Sequence, residues 1–138
     1  MSDFLDFVSA GAREGPDASS VAQALQCLDR FTAAFNACDQ AAMDAELAFP
    51  HTMLSGAQHR VWDGPGQHPP DLFSALRDTG WVSTRYESRE AVLVSADKVH
   101  FLVTYTRRAA QGEVLSTHKN LWIVTRTGGK WGIALRSY

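Results

Sequence analysis

Three side chains in this sequence have the type and setting to do chemistry. Arg136 stands in "GIALRSY", beside Ala134 and Leu135 on an apolar, strand-like segment. A guanidinium is costly to bury without a partner. Its planar fork suits two-point contact with a carboxylate, phosphate or enolate; the alternative is an internal ion pair with Asp39, Asp44 or Glu46. His51 stands in "AFPHTMLSG". Imidazole titrates near working pH, so His51 is a candidate general base; the alternative is a ring that caps the helix before it. Tyr105, in "HFLVTYTRR", is a candidate donor to an oxyanion, or else a core tyrosine with a wet hydroxyl.

Other arrangements are missing. Ser55 before Gly56 lacks the Gly-x-Ser-x-Gly elbow of a serine nucleophile. His51, His59 and His68 fall at intervals that match no regular metal-ligand spacing, so no metal is expected. "GPGQHPP" and "TGGK" lack the phosphate-loop pattern. No cofactor is expected.

The elements that must position these groups can be read from periodicity. Val21, Leu25, Leu28, Phe31 and Phe35 recur at spacings of four and three, one face of a helix. Ser20 with Gln23 fits a capping box. Asp39 is a plausible N-cap for a second helix over "QAAMDAELA", which Pro50 should end near Phe49. Residues 51–55 then read as a first strand, with His51, Met53 and Ser55 on one face and Thr52 and Leu54 on the other. "HRVWDG" reads as its partner strand. "PDLFSALRDTG" reads as a third helix closed by Gly80. "WVSTRYESREAVLVS", "KVHFLVTYTRR", "VLSTHKNLWIVTR" and "KWGIALRSY" read as four strands joined by short turns. Helices followed by a long meander mean an α+β fold.

This order resembles the nuclear-transport-factor-2-like (SnoaL-like) superfamily. "FTAAFNACDQAAMDAELA" is similar to that family's first-helix signature, and "TRTGGKWGIALRSY" to its usual ending. The resemblance covers roughly residues 18–138, with residues 1–17 as an N-terminal arm. It implies a curved antiparallel sheet wrapped around the N-terminal helix, a cone with an interior pocket, and a homodimer through the outer sheet face. It also implies that the pocket is lined by His51, Met53 and Ser55, by Phe101, Val103, Tyr105 and Arg107, and by Ala134, Arg136 and Tyr138. In the family register Lys119, Leu121 and Ile123 face inward, and His118, Asn120 and Trp122 face the dimer side; a slip of one residue reverses this. The candidate site is therefore His51, Arg136 and Tyr105 for chemistry, with Phe31, Phe35, Met53, Ser55, Val103 and Lys119 against a ligand. Members include ketosteroid isomerase, polyketide cyclases, scytalone dehydratase, epoxide hydrolases and non-catalytic binding domains. The three catalytic positions of ketosteroid isomerase fall near Phe31, Ser55 and Lys119, which do not match its residues. The resemblance thus implies either acid–base chemistry on a small apolar molecule bearing an oxyanion or carboxylate, or a non-catalytic ligand-binding or dimerisation domain.

Bulk composition agrees with a single globular domain. The chain has 138 residues, 45% hydrophobic and 20% charged, with a net charge of −2, which suits one core. Without a basic stripe, nucleic acid and anionic membranes are poor partners. "MSDFLDFVSAGAREG" has neither a basic start nor a long apolar run, so the chain reads as cytoplasmic. Cys27 and Cys38, on one helix, would stand about 16 Å apart, too far to pair with each other.

Overall fold

The computed structural model describes residues 3–10 and 18–138. The element order is α1 (Asp3–Ser9), α2 (Ala18–Asn36), α3 (Gln40–Asp44), β1 (Leu47–Ser55), β2 (Gln58–Trp62), α4 (Leu72–Asp78), β3 (Ser83–Val94), β4 (Lys98–Arg108), β5 (Val114–Thr127) and β6 (Lys130–Ser137). The strands form one open sheet in the order β2-β1-β6-β5-β4-β3. The expected meander is present as β3 to β6, all antiparallel. The sheet as a whole is mixed, because β1 runs parallel to β6.

Helix α2 lies across the inner face of this sheet. Its buried residues Ala24, Cys27, Leu28, Phe31 and Ala34 meet Phe101, Val103, Tyr105, Trp122, Val124, Trp131 and Ile133 in one core. Cys27 and Cys38 are both free thiols. Asp39 caps α3 as expected, accepting from the Ala42 N–H at 3.1 Å. The Ser20–Gln23 capping box does not form. Ser20 lies inside α2 and donates to the Ala96 carbonyl, while Gln23 accepts from the Trp131 indole at 2.7 Å. Helix α1 exposes Phe4, Leu5, Phe7 and Val8; the rest of the expected N-terminal arm, residues 1–2 and 11–17, lies outside the described residues. No helix of the described residues is long and apolar enough to cross a membrane.

The sequence places the start of the first strand too late. Helix α3 ends at Asp44, and β1 runs from Leu47 through Pro50, whose peptide bond with Phe49 is cis. Tertiary pairing sets this boundary. The Ile133 N–H donates to the Glu46 carbonyl at 2.9 Å, and Leu47 pairs with Ile133. Gly132 makes the approach possible: a Cβ there would lie 2.8 Å from the Ala48 backbone nitrogen and 3.0 Å from the Leu47 carbonyl carbon. Proline is tolerated here because the β1–β6 ladder is interrupted between Leu47 and Thr52.

Candidate functional site

The inner face of the sheet carries the site, and two irregularities decide what points there. On β5 the buried residues are Asn120, Trp122 and Val124, with Lys119 exposed. Their partners on β4 are Val103, Phe101 and Val99, all fully buried. The family register is therefore off by one residue: His118, Asn120 and Trp122 face α2, and Lys119 and Leu121 face outward. On β6 both Ile133 and Arg136 are buried, which simple alternation forbids. The pairing shows why. Val124 pairs with Ile133 but Ile123 pairs with Leu135, so Ala134 is an extra residue on β6. This bulge reverses the facing of the strand end and turns Arg136 inward, directly opposite Trp122.

His51 meets Arg136 there. His51 is fully buried. Its Nδ1 lies 2.8 Å from the Ile133 carbonyl; a carbonyl only accepts, so Nδ1 carries the proton. Nε2 is then a lone pair, and it accepts from the Arg136 Nε–H at 3.0 Å. Burial, and secondly the adjacent guanidinium, push the imidazole pKa down to about 4, so the ring is neutral at pH 7. The ring does not cap α3; it is a spacer that joins the interrupted β1–β6 ladder to the guanidinium.

Arg136 is only 7% exposed. Of the several N–H donors on a guanidinium, one serves His51 and one reaches the Met53 sulfur at 3.6 Å, a weak acceptor. Its Cζ stands 5.3 Å from the centre of the Phe31 ring and 6.0 Å from that of Trp122. Among the described residues it makes no ion pair. The carboxylates expected as internal partners are engaged elsewhere: Asp39 caps α3, Glu46 pairs with Arg30 at 2.8 Å, and Asp44 pairs with His68. A buried cation facing a neutral imidazole, a thioether and two ring faces is short of negative charge.

A second buried pair lies beyond His51. His68 Nε2 is 3.0 Å from Asp44 Oδ1, without the alignment of a hydrogen bond. Asp44 Oδ2 accepts from the Gly66 N–H at 2.9 Å and so ties down the loop between β2 and α4. The Trp62 ring lies 4.7 Å from that of His68 and 5.9 Å from that of His51. Burial lowers the His68 pKa and the Asp44 charge opposes that shift. Sequence reasoning missed this pair, because only the tertiary fold brings a Pro/Gly-rich loop against α3.

The other expected site residues are dispersed. Phe31 is buried under the guanidinium, edge-on to Trp122 at 5.8 Å. Phe35 packs instead with Phe73 and Trp81. Val103 is fully buried, and Tyr105 stacks on His118 at 4.9 Å. Met53, Ser55, Gln58, Arg60 and Tyr138 line a cleft of about 310 Å³, and Met53 links this cleft to Arg136. Lys119 lines a different cleft of about 500 Å³, formed largely by the outer residues Leu102, Thr104 and Leu121.

Two uncharged donors complete the inner wall. Asn120 Nδ2 and Trp122 Nε1 are buried and have no hydrogen-bond partner among the described residues. Each such group costs about 1–3 kcal/mol if left unmet. No sequence signal marks them, since both follow from the register of β5.

No protein-family model and no curated protein matches the sequence. Solved structures do match. A ketosteroid isomerase-like protein from Erwinia carotovora atroseptica is 20% identical over 88% of this chain and 95% of that one, with a TM-score of 0.63. A Nostoc punctiforme protein of unknown function with a cystatin-like fold is 17% identical over 88% and 91%, at 0.64. A nuclear-transport-factor-2-like protein from Novosphingobium aromaticivorans is 15% identical over 99% and 89%, at 0.60. At such identities the likeness is one of fold.

Proposed function

We propose that this chain, whose fold is the nuclear-transport-factor-2-like (cystatin-like) one, binds a small apolar molecule bearing a carboxylate or oxyanion, with Arg136 as its anchor. One observation carries this reading: Arg136 is buried, held in place by a neutral His51, and lacks a counter-charge among the described residues. Met53, whose sulfur touches Arg136, lines the neighbouring cleft, and Arg60 on the wall of that cleft adds a second cation for an approaching anion. His51 is a positioning residue in this account, because both of its ring nitrogens are occupied. Calorimetric titration with benzoate tests it. Binding with a Kd below about 1 mM is expected, and benzamide, of the same shape without the charge, should bind at least about tenfold more weakly. Equal affinity for the two would remove the anchor.

A second reading, acid–base turnover of the bound molecule, is favoured by the His68–Asp44 pair. A general base needs a free lone pair and an orienting group; His68 has its carboxylate 3.0 Å away, whereas the His51 lone pair is taken. The methyl C–H protons beside the carbonyl of an aryl methyl ketone carrying a carboxylate should then exchange for deuterium faster with the protein than without it, and His68→Gln should abolish the difference. No acceleration by wild type means a binding protein only.

A further inference from the structure

Nearer its start, β5 carries a second polar cluster, separate from Arg136. Ser116 Oγ lies 2.8 Å from His118 Nε2. The two residues are two apart on one strand and so share a face. His118 is four residues, about 13 Å along the strand, from Trp122, the partner of Arg136. Strand pairing sets Tyr105 opposite His118 and Arg107 opposite Ser116. The Tyr105 ring stacks on the imidazole at 4.9 Å, 19° from parallel, and so fixes the plane of the ring. Facing residues on paired strands bring their Cβ atoms to about 4.5–5.5 Å, so the Arg107 side chain starts beside that of Ser116. Among the described residues Arg107 makes no ion pair. Ser116, His118 and Arg107 are all half-buried, so part of each is open to a small molecule from solvent. Burial, and secondly the charge of Arg107, lower the His118 pKa, so the ring is neutral at pH 7 and keeps a lone pair. A hydroxyl within hydrogen-bond reach of such a lone pair, on a ring held in orientation, is the pairing that acyl transfer uses.

We propose that Ser116 and His118 form a nucleophile–base dyad that hydrolyses small aryl esters, with Arg107 beside the oxyanion that develops. This goes beyond the anion-binding reading and does not depend on it. With the ring proton on Nδ1, Nε2 accepts the Oγ proton as Oγ bonds to the ester carbonyl carbon. The carbonyl electrons move onto oxygen, the positive charge of Arg107 favours that oxyanion, and the oxyanion collapses to break the C–O bond. The aryl oxygen leaves with its electron pair and takes the proton from Nε2. Water then attacks the acyl-serine, Nε2 takes its proton, and Oγ leaves and recovers that proton. The net change is ester and water to acid and phenol. Among the described residues no carboxylate backs the His118 ring, so it lacks the third member that stabilises an imidazolium in a full triad. The substrate class follows from this: aryl esters, whose leaving oxygen departs with little help from a proton.

Two reagents test the dyad on the wild-type protein, with no variant needed. 4-Nitrophenyl acetate should be turned over faster than in buffer. Phenylmethylsulfonyl fluoride, whose adduct with serine does not turn over, should label Ser116, as located by peptide mass spectrometry, and should stop the turnover. His118→Gln should slow both the labelling and the turnover by about 100-fold or more. Arg107→Gln should slow the turnover by at least about tenfold. No label on Ser116 in wild type overturns the dyad, as does turnover that survives full labelling. Labelling of Ser116 in His118→Gln at the wild-type rate overturns the role of the base, and with it the proposal.

Discussion

Arg136→Met is expected to lower the affinity for a carboxylate ligand by about 100-fold or more while leaving the fold as stable as wild type, or up to about 2 kcal/mol more stable. The two effects have opposite origins. The guanidinium is almost fully buried, and no carboxylate among the described residues offsets its desolvation. Methionine fills a similar volume, can rest on Phe31 and Trp122, and carries no charge to desolvate. Against this, His51 Nε2 loses its donor, at a cost of about 1–2 kcal/mol. Arg136→Ala is the control. It also removes the charge, but it empties the space over the two rings and should cost about 2–4 kcal/mol. Urea unfolding measures stability and calorimetric titration with benzoate measures affinity. A residue kept for structure gives the reverse pattern: if Arg136→Met loses more than about 3 kcal/mol and binds benzoate normally, the guanidinium is a structural group.

Much of the scaffold is legible in the sequence because it depends on local pattern. The apolar spacing along α2, the Asp39 cap and the short turns of the meander each act over a few residues, and each is found in place. The site is less legible because it depends on pairing. Leu121, Trp122, Ile123 and Val124 are apolar at both parities of β5, so the sequence alone does not say which face is the core; the partners on β4 do. The bulge at Ala134 moves Arg136 across the sheet with no local marker, since alanine fits a regular strand equally well. The first strand begins before Pro50 because Gly132 on a distant strand lets the backbone of Leu47 and Ala48 come close. Residue type and setting nevertheless mark Arg136 and His51, and the two touch across 85 positions of chain. What the sequence hid was their relationship: the ring is an acceptor that aims the cation, and the carboxylates nearby are held by other groups.

The buried neutral His51 also makes the protein sensitive to acid. Its folded pKa is about 4 and its unfolded one about 6.5. Above pH 6.5 both states hold the neutral ring and nothing changes with pH. Between 6.5 and 4 the unfolded chain takes up a proton that the folded chain refuses, so stability falls with falling pH. Below pH 4 both states are protonated and the contribution levels off. The loss over this window is about 3 kcal/mol. His68, whose pKa is lowered chiefly by burial, and His100 and His118, lowered the same way, add to it in the same direction. The groups facing His51 are Arg136 from β6, Trp62 from β2 and His68 from the following loop, and among the described residues no carboxylate is in contact with the ring to hold a proton on it. Urea unfolding from pH 7 to pH 4 reads the effect as the slope of stability against pH, which counts the protons taken up. His51→Met should be less stable than wild type at pH 7, since the Ile133 carbonyl and the Arg136 Nε–H lose their partner, yet its slope should be shallower by up to one proton. Arg136→Met gives an independent check, because removing the adjacent positive charge lets the His51 pKa rise and should also flatten the slope. If neither substitution changes the slope, the His51 pKa is the same in the folded and unfolded chains and the acid sensitivity belongs to other groups.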